Sequence, residues 1–241
     1  MATTLTANET LVFIPGLNCT ADLFSAQINA LSGGYCIFVA NNTGIDSIGD
    51  MAQSILNTVH GPLAVAGLSM GGYVALEVVR RAPERVTKLA LLDTSAAPDS
   101  GEAKRRRREL IKLARNGQFM EVHRHLWPRL VGKMSLSDAA LENRVLEMMK
   151  QTGPETFERQ QTAIMNRSDA RPNLSRIKVP TLIIVGEEDI ITPLDVAESM
   201  AASIRGAELV RLSVSGHLTT MERPDEATSA IRRWLAAPAL R

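Results

Sequence analysis

The chain has 241 residues, 45% of them hydrophobic, which suits one α/β domain with an insertion and a sizeable core. Its 27 basic and 26 acidic side chains leave a formal charge of +1, which excludes bulk attraction to nucleic acid or to an acidic membrane. No basic leader or membrane-length apolar run is present, and Cys19 and Cys36 lack metal-ligand spacing. The expectation is a cytoplasmic protein with free thiols and no metal. Thr10 to Ile14 is a dense apolar run ending in Pro15-Gly16-Leu17-Asn18, which predicts a buried strand and a turn. Ala21 to Leu31 has helical spacing (Leu23, Phe24, Ile28, Leu31) and stops at Gly33-Gly34. Tyr35 to Ala40 predicts a second strand, and Ile48 to Val59 a helix with Met51, Ile55 and Val59 on one face. Leu63 to Ala66 is a third strand and Val86 to Leu92 a fourth, ending at Asp93. After a long interval, Thr181 to Val185 and Glu208 to Leu212 are strands, with helices over Asp195 to Ile204 and Glu226 to Leu235.

Apolar strands alternating with helices predict a mainly parallel sheet of about six strands, flanked by helices on both faces. From Ala96 to about Arg171 only helical spacing occurs, as in Leu110/Leu113/Ala114 and Leu141/Val145/Met148/Met149. That is far more than a crossover between two strands needs. The expected organisation is a core of residues 1–95 and 172–241, with residues 96–171 as a helical cap over the carboxyl ends of the strands.

The chemistry centres on Gly67-Leu68-Ser69-Met70-Gly71, set between the third strand and a helical pattern beginning at Tyr73. G-x-S-x-G in that context is a nucleophile elbow, with a strained serine and glycines that let strand and helix approach. Serine needs a base, and the base needs a carboxylate to hold its tautomer. Of the four histidines, His60 precedes the elbow strand at the wrong sheet end, and His123 and His125 lie on a cap helix as polar face or pocket wall. His217, in Ser213-Val-Ser-Gly-His217, follows the last strand and falls at the same end as Ser69. Asp189, in Gly186-Glu-Glu-Asp-Ile-Ile-Thr-Pro193, keeps the order Ser, Asp, His. Asp93 is the second candidate acid, or a cap with Thr94, and Glu187 and Glu188 read as exposed loop charges. An oxyanion needs two preorganised donors, for which the Met70 and Leu17 amides are the candidates, with Asn18 as an assisting side chain. Lys104-Arg-Arg-Arg-Arg108, flanked by Glu102 and Glu109, reads as a solvated helix face. Phe119, Met120, Trp127, Met148, Met149 and Phe157 suggest an apolar cap interior, fitting a largely apolar acyl or alcohol group.

Taken together, G-L-S69-M-G-G, V-G-E-E-D189-I-I-T-P and S-G-H217-L-T-T-M-E-R-P resemble the α/β-hydrolase superfamily. The likeness is nearest to cap-bearing bacterial esterases and lactonases of the 3-oxoadipate enol-lactonase group and runs from about Thr10 to Leu235. It implies the α/β-hydrolase fold and a cofactor-free Ser–Asp–His enzyme acting on a small-molecule ester. Two departures stand out: Pro15-Gly16 replaces the family's usual His-Gly pair, and few residues precede the first strand, so the usual N-terminal hairpin is expected to be absent. A carbon–carbon bond hydrolase of the same fold and a non-turnover small-molecule receptor are the alternatives. Dehalogenase and epoxide hydrolase relatives carry Asp at the position of Ser69.

Overall fold

In the four central strands successive residues face opposite sides of the sheet, and both sides are apolar. In β1 (Thr10–Ile14), Leu11 and Phe13 pack into one core cluster while Val12 and Ile14 pack into another. The same alternation recurs in β3 (Leu63–Leu68), β4 (Val86–Leu92) and β5 (Thr181–Gly186). Strands with no wet face must be covered twice, which is why the sheet is parallel and its crossovers are helical. The computed structural model describes residues 9–238, and these form one six-stranded sheet in the order β2-β1-β3-β4-β5-β6, with every neighbouring pair parallel. Here β2 is Cys36–Val39 and β6 is Glu208–Leu212. The predicted six-stranded α/β architecture is therefore the one observed.

Helices α2 (Ile48–Thr58), α3 (Met70–Arg81) and α7 (Leu194–Ser203) bury residues with one face, and α1 (Ser25–Leu31) and α9 (Pro224–Ala236) with the other. Local chemistry sets several boundaries. Ser47 caps α2 by accepting from the Asp50 amide, as expected of a hydroxyl at a helix start. The single helix expected over residues 21–31 divides into a 3-10 turn, Ala21–Phe24, and α1, because the Thr20 hydroxyl accepts from the Asp22 amide and tightens the first turn. The elbow strand runs two residues past its expected end, to Leu68.

Between β4 and β5 lie α4 (Gly101–Arg115), α5 (Phe119–Leu130), a 3-10 turn (Lys133–Ser137) and α6 (Ala139–Met165), with no strand. Helix α6 breaks at Gly153, whose φ of 77° is left-handed, immediately before Pro154. Proline lacks the amide that would continue the helix and disfavours helical geometry at the residue before it, and glycine absorbs the resulting turn. Ile111, Ala114, Val122, Met149 and Phe157 form a small cluster of their own. Trp127, Val131, Leu141, Val145 and Met148 instead join the core over the α1/α9 face of the sheet. Among the described residues, no helix is long and apolar enough to cross a membrane.

Candidate active site

Because all six strands are parallel, the loops after β1, β3, β4, β5 and β6 emerge at one edge of the sheet. The elbow occupies the centre of that edge. Ser69 has φ 54° and ψ −116°, a positive φ that few non-glycine residues adopt. The strain is held by flanking bonds: the Ser69 amide donates to Leu92 O at 2.9 Å, and the Thr94 hydroxyl donates to Ser69 O at 2.7 Å. The glycines are sterically required. A β-carbon on Gly67 would lie 2.1 Å from Gly71 O, and one on Gly71 would lie 1.9 Å from Ile14 O. The amides that follow Ser69 begin α3, so its hydroxyl stands at a helix N-terminus.

His217 Nε2 lies 2.8 Å from Ser69 Oγ, and its Nδ1 lies 2.7 Å from Asp189 Oδ2. His217 is 2% exposed and Asp189 3%. The Asp189 carboxylate also accepts from the Ile191 and Thr192 amides at 2.7 and 3.1 Å, and from the Thr192 hydroxyl at 2.7 Å. Burial alone would raise this carboxyl, yet the His217 ring and the Thr192 donors hold it below its ordinary value. Such a line of groups can draw a proton from the serine hydroxyl through the ring while the carboxylate fixes the ring's orientation.

The loop carrying His217 is clamped from two sides. A β-carbon on Gly186, at the end of β5, would lie 2.0 Å from Gly216 O, and one on Gly216 would lie 2.4 Å from Val131 C. Glu222, in the short helix α8 (Thr219–Glu222), accepts from the Gly216 amide with one oxygen and from the Gly132 amide with the other, both at 2.8 Å. The His217 amide donates to Leu130 O at 3.0 Å. Sequence reasoning missed Glu222. Its signal was a carboxylate five residues beyond the histidine, which means little until Gly132 is folded against it.

Asp93 does not reach the imidazole. Its oxygens accept from the Gly186 amide at 3.0 Å and from the Thr219 hydroxyl, so it braces β5 against the His217 loop rather than capping a segment with Thr94. Burial, and then the charge of Asp189, push its carboxyl well above the ordinary range. The loop after β1 lies against the elbow, since a β-carbon on Gly16 would lie 3.4 Å from Ser69 Cβ. Among the described residues, neither the Leu17 nor the Met70 amide donates to a turn, loop or cap carbonyl. Asn18 is engaged in part: its amide donates to Gln160 Oε1 at 2.9 Å and its side-chain oxygen accepts from Thr152 at 3.3 Å, while its side-chain NH2 lines the cavity without a partner among the described residues. His60 is exposed just ahead of β3, at the opposite end of that strand from Ser69, and His125 is exposed on α5. His123 is buried on α5 and stacked on Trp127.

Over Ser69 and His217 lies a cavity of about 280 Å³, walled by the strand-end loops and by α4, α5 and α6. Leu126, Leu130, Val145, Met149 and Ile164 supply an apolar part of the wall. Of the six apolar residues singled out in the sequence, only Met149 reaches it. Met120 faces outward at 44% exposure, and Phe157 and Trp127 are buried in packing. Two charge readings also change. Arg106 and Arg107 of the basic run line the cavity, the latter paired with Asp99 at 2.6 Å, while Arg105 and Arg108 are exposed as expected. Glu188 accepts from the Lys133 amide at 2.6 Å and so ties its loop to the helical insertion. A wider groove of about 870 Å³ lies behind Tyr73 and Arg167 and contains neither Ser69 nor His217.

A model of the alpha/beta hydrolase family matches residues 11–231. The chain belongs to that family. Among solved structures, this hydrolase is similar to a thermophilic esterase from Thermogutta terrifontis, with 29% identity, a TM-score of 0.85, and 96% of this chain and 90% of that one covered. It is also similar to the enol-lactonase from Burkholderia xenovorans LB400, at 22% identity and TM-score 0.87, covering 96% and 93% of the two chains, a likeness of fold alone. A third similar protein is the 2-hydroxy-6-oxononadienedioate/2-hydroxy-6-oxononatrienedioate hydrolase of Escherichia coli, 28% identical, with 96% of this chain and 88% of that protein covered. The expected resemblance to the hydrolase group with esterases and lactonases is therefore met.

Proposed function

We propose that this hydrolase cleaves carboxylic esters or lactones through an acyl-serine intermediate, with Ser69 as nucleophile, His217 as base and Asp189 as the acid that orients it. The observation that carries this reading is the unbroken line from Ser69 Oγ to His217 Nε2 and from Nδ1 to Asp189, at 2.8 and 2.7 Å, on the floor of a cavity. His217 takes the Ser69 proton as Oγ bonds to the ester carbon. The carbonyl oxygen, now an anion, is received by the Leu17 and Met70 amides. The tetrahedral centre collapses, the carbon–oxygen bond to the alcohol breaks, and His217 gives its proton to the departing alkoxide. Water then enters, loses a proton to His217, and releases the carboxylic acid, and that proton returns to Ser69. Helices α4 to α6 act as a cap that limits the water admitted to the acyl-enzyme.

The 29% identity to an esterase supports the choice of ester substrates. The 28% identity to the Escherichia coli dienedioate hydrolase supports a second reading, in which the same three residues break a carbon–carbon bond next to a ketone. Initial rates on 4-nitrophenyl esters from acetyl to dodecanoyl, with Ser69→Ala in parallel, test the first reading. A cavity of about 280 Å³ predicts an optimum among the short acyl chains and a sharp fall by dodecanoyl. Turnover should drop by about a million-fold in the variant. Negligible turnover of every ester, with cleavage of a vinylogous diketone acid, would replace this reading with the second.

A further inference from the structure

The cavity over Ser69 is charged in a way that the chain as a whole is not. Its wall carries four guanidinium groups, from Arg106, Arg107, Arg129 and Arg167, and one carboxylate, Asp99, whereas the formal charge of the entire chain is +1. Asp99 is already saturated, with one oxygen on Arg107 Nε at 2.6 Å and the other on Arg167 Nη1 at 2.7 Å. Arg106 pairs outward with Glu102 at 3.2 Å, two half-exposed groups whose bond is weak. Arg129, near the end of α5, forms no ion pair or side-chain hydrogen bond among the described residues. Burial, with Arg106 and Arg107 beside it, lowers its pKa, and Asp189 offsets this only in part. Arginine does not deprotonate in proteins, so the group stays charged and lacks a counter-ion.

Neutral donors add to the surplus. Gln161 and Asn18 both line the cavity, at 0% and 7% exposure, and the side-chain NH2 of each has no partner among the described residues. Their orientation follows from their oxygens, which accept from Arg107 and Thr152. The polar wall thus has spare donors and no spare carboxylate.

Resting on the serine-hydrolase reading, we infer that the substrate is an ester carrying a second group, a free carboxylate, and that Arg129 receives it. A single planar guanidinium matches the two oxygens of a carboxylate through parallel hydrogen bonds. Arg106, Arg107 and Arg167 keep the surrounding potential positive, so anionic esters are drawn to the cavity and neutral ones are not.

The test compares 4-nitrophenyl hydrogen glutarate with 4-nitrophenyl 5-methylhexanoate, in which an isopropyl group replaces the carboxylate at equal length and shape. Wild-type kcat/KM should favour the anionic ester by about 10- to 100-fold, as expected for a hydrogen-bonded charge. Arg129→Gln should collapse that ratio towards one, and Arg129→Lys should retain part of it. Rising salt should weaken hydrolysis of the anionic ester alone. A ratio near or below one in the wild type, or an unchanged ratio in Arg129→Gln, would overturn the inference. Calorimetry with glutarate separates this result from failure of the catalytic reading: if neither ester is hydrolysed, binding to wild type but not to Arg129→Gln still supports the carboxylate site. No glutarate binding would overturn it, and so would tighter binding of inorganic phosphate.

Discussion

Ser69 and His217 were legible because their signals are local. A glycine-flanked serine between strand and helix, and a histidine after the last strand, need no knowledge of packing. The choice between Asp93 and Asp189 needed more, because both follow strands whose ends point the same way. The structure places Asp189 Oδ2 2.7 Å from the imidazole, and holds Asp93 on Gly186 and Thr219. Under the proposed mechanism, Asp189→Asn should reduce kcat about ten-thousand-fold, while Asp93→Asn reduces it only slightly. The reverse order in steady-state kinetics would reassign the acid. The same pair separates by pH. The folded-state pKa of Asp93 is raised, so the stability linked to it is fully present below the unfolded value and is lost as pH rises through the folded one. The pKa of Asp189 is depressed, so its contribution is lost instead as pH falls through the folded value. Asp93→Asn should therefore flatten the decline of Tm as pH rises from the ordinary carboxylate range, and an unchanged slope would contradict the raised value.

At the scale of elements, the strands followed from runs that are apolar on both faces, and most helices from their spacing. The break in α6 was legible in principle from Gly153-Pro154, since a Gly-Pro pair inside a helical pattern marks a turn. The clamp on the His217 loop was not legible, because it joins residues ninety positions apart: Glu222 bridges Gly216 on the loop and Gly132 in the insertion. Each amide uses a different oxygen, so Glu222→Gln puts an NH2 group against one backbone N–H. That substitution should cost about 1–3 kcal/mol of stability in urea unfolding. Unfolding midpoints identical to wild type would show that the bridge contributes nothing.

For the whole molecule, a formal charge of +1 conceals where charge collects. The basic run on α4 reads as a solvated stripe because helical spacing alone does not say which arginine turns inward. Only folding brings Arg107 of that run, Arg129 of α5 and Arg167 beyond α6 to the wall of one cavity, where Arg107 and Arg167 share Asp99. The same difficulty affects the apolar residues of the insertion. Phe157 and Trp127 look like pocket lining by type, yet they are used to pack the helices against each other and the core. The three side chains of the candidate site were thus readable from motifs, whereas the make-up of the cavity wall depended on the tertiary arrangement.

Under the proposed mechanism, Ser69 is the group acylated during turnover. The most direct measurement is peptide mass spectrometry after treatment with a fluorophosphonate, which bonds to an activated serine with loss of fluoride. Stoichiometric modification of Ser69 is expected, lost in Ser69→Ala and strongly slowed in His217→Ala. An unmodified protein, or a label on another residue that persists in Ser69→Ala, would contradict it.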